Sequence, residues 1–419
     1  MNLIPQIEAD SVDIRRIRHD IHAHPELGYE VHRTAELVAS ILEKWNIEVT
    51  RNVGRTGVVG TLRGSLESAS PARAIGLRAD MDALPVQEIN TIAHASRNPG
   101  VMHACGHDGH TAMLLGAAQY LAENRRFHGT VQFIFQPAEE KGAGAKAMLD
   151  DGLLERFPID AVFGLHNWPG IPANTLATRA GALMASSNRF RIDIEGIGAH
   201  AAMPHKGHDP LLAGAQIVTA LQAILTRSKR PIDAAVLSVT QFHAGSSDNV
   251  IEQNVWLSGT VRTFDHQVTD LIERRMQEIA TGLATAFGCT ARVSFIRVYP
   301  PTINDAGQTA FAATVAREVL GADRVIGDIE PVMPSEDFSF LLQKVPGCYA
   351  FLGNGDGEHR GHEHGGGPCE LHNAMTEAES ALLPDNLQRK KKSGNPHFHG
   401  PSRFSKWWVV WDSNLRPIG

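Results

Sequence analysis

The sequence of 419 residues is long for one compact core, because a domain commonly holds roughly 100 to 200 residues. Hydrophobic residues make up 42% and charged residues 20%, as in ordinary globular proteins, and the formal net charge of −7 argues against a general affinity for nucleic acid. No run approaches the ~18 apolar residues that a membrane span requires. The N-terminal region contains acids and lacks the apolar core of a secretory signal. We therefore predict a cytoplasmic protein of two or three domains, or of one domain that carries an insertion, with no membrane and no nucleic acid as partners.

The beginning of the chain alternates helix-like and strand-like segments, which predicts an α/β fold with a mostly parallel sheet. Apolar residues recur at helical spacing in 9–23, 31–45 and 109–123, with a further helical segment near 143–151. Short β-rich runs occupy 57–62, 73–79, 131–136 and 161–166. Sites in such sheets lie at the carboxyl ends of strands. Asp80, Glu139, Glu140 and His166 all come at or just after predicted strand ends.

The middle of the chain has a different rhythm. Phe190, Ile192 and Ile194 alternate with polar residues, which indicates a strand with one buried face. Asp209-Pro210 predicts the cap and first turn of a helix over 209–227. Strands follow at 234–242 and 255–264, then a helix at 266–286 and a strand at 291–298. This order predicts an inserted ferredoxin-like domain, after which the α/β pattern resumes with a helix at 307–320 and a strand at 347–352.

The last 35 residues, 385–419, follow neither pattern. They contain three of the six tryptophans, the basic run 389–392 and a formal charge of +5, so the rest of the chain carries −12. A weakly ordered tail is one interpretation, and a reading-frame change or vector read-through that replaced a native helix is another. Contact with a membrane or nucleic acid is the remaining alternative.

The strongest local motif is MHACGHDGH at 102–110. Four cysteines are too few for a disulfide scaffold in a chain of this length, so a cysteine here is available to bind metal. Cys105 and His107 lie two residues apart in a glycine-containing turn, where a thiolate and an imidazole can bind one metal or bridge two. The alternative is a buried cysteine beside a helix-capping loop.

A second motif, QPAEE at 136–140, places two carboxylates after an apolar strand. Successive side chains on extended backbone point in opposite directions, so one carboxylate can bind a metal while the other takes a proton from water. Hydrolysis requires that division of roles. The alternative is a helix N-terminus, which favours acids without any catalytic purpose.

Two further histidines, His166 in GLHNWP and His372 in CELHNA, end apolar segments. Each alone is more typical of a structural histidine. Together with Cys105, His107 and Glu140 they give five ligands, the number that a two-metal site with a bridging group needs.

Several stretches together resemble the M20 metallopeptidase family, in particular its amidohydrolase branch. They span about residues 12–383 and read DIHAHPELGYE (20–30), LRADMDALPVQE (77–88), GVMHACGHDGHTAMLLGAA (100–118), FIFQPAEE (133–140), AVFGLHNWPG (161–170), GIGAHAAMPH (196–205), GTVRTF (259–264), PSEDFSFLL (334–342) and GPCELHN (367–373). The resemblance implies a catalytic metal-binding domain (1–183 and 298–384) interrupted by a lid and dimerisation domain (184–297), with 385–419 as an atypical tail.

The resemblance also implies roles for single residues. Cys105 would bridge two divalent metal ions, and His107, Glu140, His166 and His372 would complete the ligands. Glu139 would act as general base and acid, Asp82 would orient a ligand, and Asp80 would support the site. The ligand types fit Zn, Co or Ni, and the carboxylates also fit Mn.

Three residues of the lid are similar to family residues that meet the substrate. His200 would stabilise the oxyanion of the transition state, often across a dimer interface. Asn249 and Arg262 would face the free carboxylate of the substrate, for which the planar fork of arginine is suited. His200 alone would be no more than a histidine in a flexible glycine loop.

The sequence departs from the family at three places. Glu252 stands where the family often has proline. The loop 357–367 is rich in histidine and glycine, and the family's terminal helix is replaced by the tail. The primary hypothesis is a metal-dependent amidohydrolase that cleaves N-acyl amino acids, above all hippurate, as a homodimer or higher oligomer. The alternatives are another aminoacylase, a dipeptidase, an auxin-conjugate hydrolase or, in a different class, a non-catalytic metal-binding protein.

Overall fold

The computed structural model describes residues 5–68, 71–355 and 371–372. They fold as two compact units. The described residues within Met1–Gly181, Asn304–Glu330 and Phe340–Gly419 form the first, and Ala182–Ile303 and Pro331–Ser339 form the second. The predicted tail and the histidine-rich loop 357–367 lie outside the described residues. No helix in the described ranges is long and apolar enough to cross a membrane. The division into catalytic and lid domains at the boundaries given above stays a prediction.

Strands and helices alternate along the chain. The strands are β1 (Glu48–Val53), β2 (Gly57–Arg63), β3 (Ala74–Asp80), β4 (Thr130–Gln136), β5 (Ala161–Trp168), β6 (Leu176–Ala177), β7 (Gly181–Met184), β8 (Ser187–Glu195), β9 (Ala199–His200), β10 (Ala235–His243), β11 (Val250–Ile251), β12 (Asn254–Thr263), β13 (Thr290–Tyr299), β14 (Thr302–Asn304), β15 (Val325–Ile326) and β16 (Gly347–Gly353). The helices are α1 (Pro5–Ala23), α2 (His32–Lys44), α3 (His107–Glu123), α4 (Glu139–Gly142), α5 (Gly144–Asp150), α6 (Leu153–Arg156), α7 (Pro210–Ala223), α8 (His266–Ala286), α9 (Ala306–Leu320) and α10 (Ser339–Leu342). Single turns occupy Pro204–Lys206, Ile224–Ser228 and Ala322–Arg324.

The first unit is built on one eight-stranded sheet in the order β1-β2-β4-β3-β5-β16-β6-β15. Its centre, β4-β3-β5-β16, is parallel, as predicted. The sheet as a whole is mixed, because β1, β2 and β4 pair antiparallel, and so do β16 and β6. Strand β1 was not predicted, because its sequence EVTRNV offers only Val53 as a fully buried side chain.

The core of the first unit lies between this sheet and helices α2, α3 and α9. Helix α2 buries Val38, Ala39 and Leu42 at helical spacing. Helix α3 is buried over most of its length because its residues are small and apolar, as predicted, but it begins at His107 rather than at 109. The two extra residues place His107 at the first position of the helix, two residues after Cys105.

The second unit is a four-stranded antiparallel sheet in the order β10-β12-β8-β13, packed on α7 and α8. Phe190, Ile192 and Ile194 of β8 are buried, as their alternation predicts. The carboxylate of Asp209 caps α7 by accepting from the N–H groups of Leu211 and Leu212 at 2.8 and 3.2 Å. The predicted ferredoxin-like order of elements is therefore confirmed.

Candidate metal centre

The candidate ligands gather where three neighbouring parallel strands end. Asp80 closes β3, opposite Gln136 at the end of β4, and Glu139 and Glu140 follow a few residues later. His166 lies near the end of β5, on the other side of β3. Because the carboxyl ends of parallel strands share one edge of the sheet, these side chains meet there, as predicted.

Cys105 and His107 flank a tight turn at the start of α3. Gly106 between them has φ +91, in the left-handed region that favours glycine. A Cβ there would lie 2.5 Å from the Asn167 side chain, so only glycine fits. The turn brings donor atoms of Cys105, His107 and His166 within 4.8 Å of one another. Cys105 Sγ and His166 Nε2 are 3.4 Å apart.

A second group of three donors shares Cys105 with the first. Cys105, Glu140 and His372 also offer ligand atoms within 4.8 Å of one another. His372 Nε2 lies 3.4 Å from Glu140 Oε1. The N–H of His372 donates to the carbonyl of Ala104 at 2.9 Å, which anchors this distant part of the chain beside the cysteine turn. A thiolate common to two triplets has the position that a bridging ligand would take.

Glu139 and Glu140 stand in the first turn of α4, so their predicted extended backbone is wrong. Ala138 before them has φ +54, a left-handed conformation that costs a non-glycine residue on the order of 1 kcal/mol. Their side chains diverge because successive helical residues are about 100° apart. Asp82 fixes this turn, since its two oxygens accept from the N–H groups of Glu139 at 2.9 Å and Glu140 at 3.1 Å. The same carboxylate lies 3.5 Å from His107 Nδ1.

The donor atoms in this cluster fit a cation. Among the described residues, both ring nitrogens of His107 and Glu140 Oε1 are buried without a hydrogen-bond partner. Such atoms are costly unless something binds them. Burial alone would lower the pKa of His107, but Asp80, Asp82 and Glu140 raise it to about 10. The excess of carboxylates thus attracts positive charge to this point.

The environment of Cys105 favours the neutral thiol, whereas that of His107 favours the charged imidazolium. Burial, followed by the charges of Glu140, Glu139 and Asp80, raises its pKa well above the usual range. A small apolar cluster of Leu84, Met102 and Ala104 surrounds it. Only a nearby cation would favour the thiolate in this setting, because metal binding deprotonates a coordinating thiol.

His110, one helical turn after His107, belongs to the cluster although its motif did not predict a role for it. Its Nδ1 lies 2.7 Å from Asp80 Oδ1, and its Nε2 lies 2.6 Å from Asn167 Oδ1. Arg78 donates to the other oxygen of Asp80 at 2.7 Å. By these contacts Asp80 supports the cluster. One of its carboxylate oxygens also lies within 4.8 Å of a ring nitrogen of His107 and a ring nitrogen of His110. The spacing of three residues between His107 and His110 places both on one helix face and could have identified His110.

A second buried polar cluster was also missed. Asp108, next to His107, accepts from Arg18 Nε at 2.9 Å and lies 2.9 Å from His22 Nδ1. Burial raises the pKa of Asp108, yet Arg18 and His22 hold it well below its usual range. Glu88 contacts the other nitrogen of His22 at 3.3 Å. These contacts tie α1 to the first turn of α3, which carries His107.

The three predicted lid residues belong to the second unit. His200 is exposed in β9, which pairs with β11, and the carbonyl of exposed Asn249 accepts from the N–H of Ala201 at 2.9 Å. The fold therefore brings His200 and Asn249 together. Arg262 is half-buried in β12 and donates to the hydroxyl of Ser187. Burial and the charge of Arg189 lower its pKa.

The comparisons with known proteins agree on one family. A family model described as peptidase family M20/M25/M40 matches residues 76–366. A hippurate hydrolase of Campylobacter jejuni is 42% identical over 354 residues, which cover 84% of this chain and 91% of that protein. An N-acetyl-L-cysteine deacetylase of Bacillus subtilis is 40% identical over 368 residues, covering 88% and 84%.

A solved structure extends the likeness to the fold. A Bacillus subtilis protein described as a dinuclear metal binding peptidase of the M20 family is 31% identical, with a TM-score of 0.76. The match covers 97% of this chain and 99% of the other. Two relatives of similar identity thus act on different acyl groups, benzoyl and acetyl, so the likeness alone does not choose between them.

Proposed function

The chain belongs to peptidase family M20/M25/M40 and is an amidohydrolase, and from that premise we propose that it cleaves the amide bond of N-acyl amino acids at a centre of two divalent metal ions. One observation carries the proposal above all. Cys105 belongs to two separate triplets of donors, as a ligand that bridges two ions would. We assign His107 and His166 to one ion and Glu140 and His372 to the other.

The proposed ions would supply a water molecule of lowered pKa and polarise the amide carbonyl. Glu139 stands beside ligand Glu140, and its carboxylate reaches within 4.8 Å of donor atoms of His107 and Glu140. It takes the proton from the attacking water and gives it to the leaving nitrogen. Asp82 accepts from the backbone N–H groups of both glutamates and contacts the ring of His107. It therefore fixes the position of the base Glu139 relative to the ligands Glu140 and His107.

Substrate binding in this proposal falls to the second unit. Arg262 and Asn249 bind the free carboxylate of the amino acid, and His200 stabilises the charge that develops on the carbonyl oxygen. The inserted position of the second unit and the family resemblance support its role as a lid and its use in dimerisation. A cytoplasmic location is part of the proposal.

Hippurate is the proposed substrate, giving benzoate and glycine. The relative with 42% identity is a hippurate hydrolase, which favours a benzoyl group. The deacetylase at 40% identity favours an acetyl group on a cysteine. Dipeptides and auxin conjugates remain alternatives that a substrate panel separates.

The test is hydrolysis of hippurate with added Zn, Mn, Co or Ni, comparing wild type with Glu139→Ala. We expect the variant to retain its metal and to lose about 10²- to 10⁴-fold in kcat, the usual contribution of a general base. Glu155→Ala is a matched control, because it removes an exposed glutamate from the equally short helix α6. Near-full activity of Glu139→Ala would overturn the mechanism, and no turnover of any amide by metal-loaded wild type would overturn the function.

A further inference from the structure

We propose that Trp168 forms a wall of the acyl-group site and makes the enzyme prefer a flat aromatic acyl group over acetyl. This inference rests on the proposed function and deepens it. Trp168 is the last residue of β5, two positions after His166. Residues two apart on a strand face the same side of the sheet, so the indole lies on the side of the proposed ligand.

The surroundings of the indole support a binding role. Every residue of β5 before Trp168 is buried, whereas Trp168 is half-buried. Its ring meets the His166 ring edge-on, with 5.9 Å between centroids and an angle of 70°. It also stacks on the buried ring of Phe351, with 4.1 Å between centroids and an angle of 27°. One part of a large apolar ring is thus fixed by the core while another part reaches the surface beside the metal centre.

Half-burial alone does not separate a binding role from a packing role, because the large tryptophan ring is rarely buried in full. The position of the ring beside His166 and its stacking on Phe351 favour binding. Because Phe351 already holds the ring, little entropy is lost in fixing it when a ligand arrives. A pre-positioned aromatic surface of this kind is typical of a recognition site for an apolar group.

The chemistry of the proposed reaction places the acyl group near the proposed ligands. The acyl group is bonded to the carbonyl carbon that water attacks, so it lies beside the metal centre whenever the amide does. Trp168 contacts the proposed ligand His166, and its ring is only half-buried. The accessible part of this ring is therefore within reach of an acyl group bound at the centre.

The test measures kcat/KM on three acylglycines in wild type and Trp168→Leu. The acyl groups are benzoyl, acetyl and cyclohexanecarbonyl, the last being of similar size without aromatic character. We expect the benzoyl-to-acetyl ratio to fall about 3- to 10-fold in Trp168→Leu, the size of one aromatic pair interaction. The loss should appear in KM more than in kcat, and cyclohexanecarbonylglycine should fall less than hippurate.

Two further variants keep the result interpretable. Trp168→Phe retains a ring that can stack on Phe351, so it should fold and keep a ratio between those of wild type and Trp168→Leu. Trp45→Leu is the matched control, because Trp45 is also a half-buried tryptophan of the first unit but packs at the end of α2. Its ratio should equal that of wild type.

The outcomes separate the two proposals. If wild type cleaves acylglycines, but Trp168→Leu and Trp168→Phe have the same benzoyl-to-acetyl ratio of kcat/KM as wild type, the proposed role of Trp168 is overturned and the proposed function is not. An equal loss on all three substrates with lost metal content overturns it too, because Trp168 would then only support His166. A metal-loaded wild type that cleaves no acylglycine overturns the proposed function and this inference together.

Discussion

The proposed functional residues of the two units differ in how firmly the fold holds them. In the first unit, Asp80, Asp82 and His107 are buried, and His107 lies 3.7 Å from Asp80 and 3.5 Å from Asp82. In the second unit, His200 and Asn249 are exposed. Buried charges that are paired keep one geometry, since any other leaves a charge without a partner.

The difference matches the two tasks that we propose. A metal centre requires ligands fixed to within a fraction of an ångström, so the first unit accepts the cost of burying charges. Residues that receive a substrate from solvent must be reached by it, so the second unit leaves them at the surface. Changes in the first unit should therefore alter stability and metal affinity, and changes in the second should alter KM.

The largest expected effect is the loss of stability when His22 is replaced. If the replacement had no effect, the contrast between a tightly held first unit and an exposed second unit would not hold. Burial lowers the pKa of His22, but Asp108 and Glu88 raise it from 6.5 to about 9. The folded protein therefore holds this proton more tightly than the unfolded chain does. The protonated His22 therefore stabilises the folded protein. This contribution to the free energy of unfolding is on the order of 3 kcal/mol; it is fully present below pH 6.5 and is lost as the pH rises through about 9.

Urea unfolding of wild type and His22→Gln in the same buffer and metal concentration, from pH 6 to pH 10 in steps, measures this effect. The difference between their unfolding free energies should shrink as pH rises. His24→Gln is a control just after the end of the same helix, where His24 is partly exposed and its Nδ1 lies 2.8 Å from the carbonyl oxygen of Asp20. A difference between wild type and His22→Gln that stays constant with pH would show that His22 is not charged in the folded protein.

The next effect concerns Asp82, which holds both the ring of His107 and the turn of the two glutamates. Asp82→Asn should weaken metal binding about 10- to 100-fold, as loss of a partner behind a ligand commonly does. Titration calorimetry of chelator-treated protein with Zn measures it. Asp151→Asn, which removes a more exposed carboxylate bonded to the N–H of Gly54 at 3.1 Å, is the control. Equal affinities in wild type and Asp82→Asn would leave Asp82 without a role at the centre.

The smallest expected effect is on KM and concerns Arg262, a residue of the second unit. Arg262→Lys keeps the positive charge but loses the planar fork that binds a carboxylate through two hydrogen bonds. We expect KM for hippurate to rise about 10-fold, with kcat and metal content nearly unchanged. Arg191→Lys changes an arginine of the same sheet that pairs with Asp193 at 2.8 Å and should leave KM as it is. A fall in kcat without a change in KM would assign Arg262 to the chemistry instead.

Hydrophobic pattern was sufficient to predict most of the fold. The alternation of Phe190, Ile192 and Ile194 and the cap at Asp209 placed β8 and α7, because one face of each element is buried. Strand β1 could not be found this way, since its side chains are mostly half-exposed. Its pairing with β2 depends on backbone hydrogen bonds, which leave little trace in the sequence.

The ligand cluster was predicted by motif, whereas the contacts behind it were not. Cys105 and His107 lie in one short motif, but Arg18 and Asp108 are 90 residues apart and only the fold joins them. The extended backbone expected for Glu139 was wrong because Ala138 adopts a left-handed conformation and α4 begins directly after it, at Glu139. No pattern of side chains in the sequence predicts a left-handed backbone at Ala138.

The position of β16 in the sheet has a consequence for synthesis on the ribosome. This strand lies between β5 and β6, although about 180 residues separate it from the end of β5 along the chain. At roughly 5 to 20 residues per second, the exposed edge of β5 waits on the order of ten seconds or more for its neighbour to be made. The second unit, including its segment Pro331–Ser339, is complete in sequence before β16 is made and can fold while the sheet of the first unit is still incomplete. The nascent chain therefore presents an apolar parallel edge for a long interval, and unpaired edges of this kind are prone to pair with other chains.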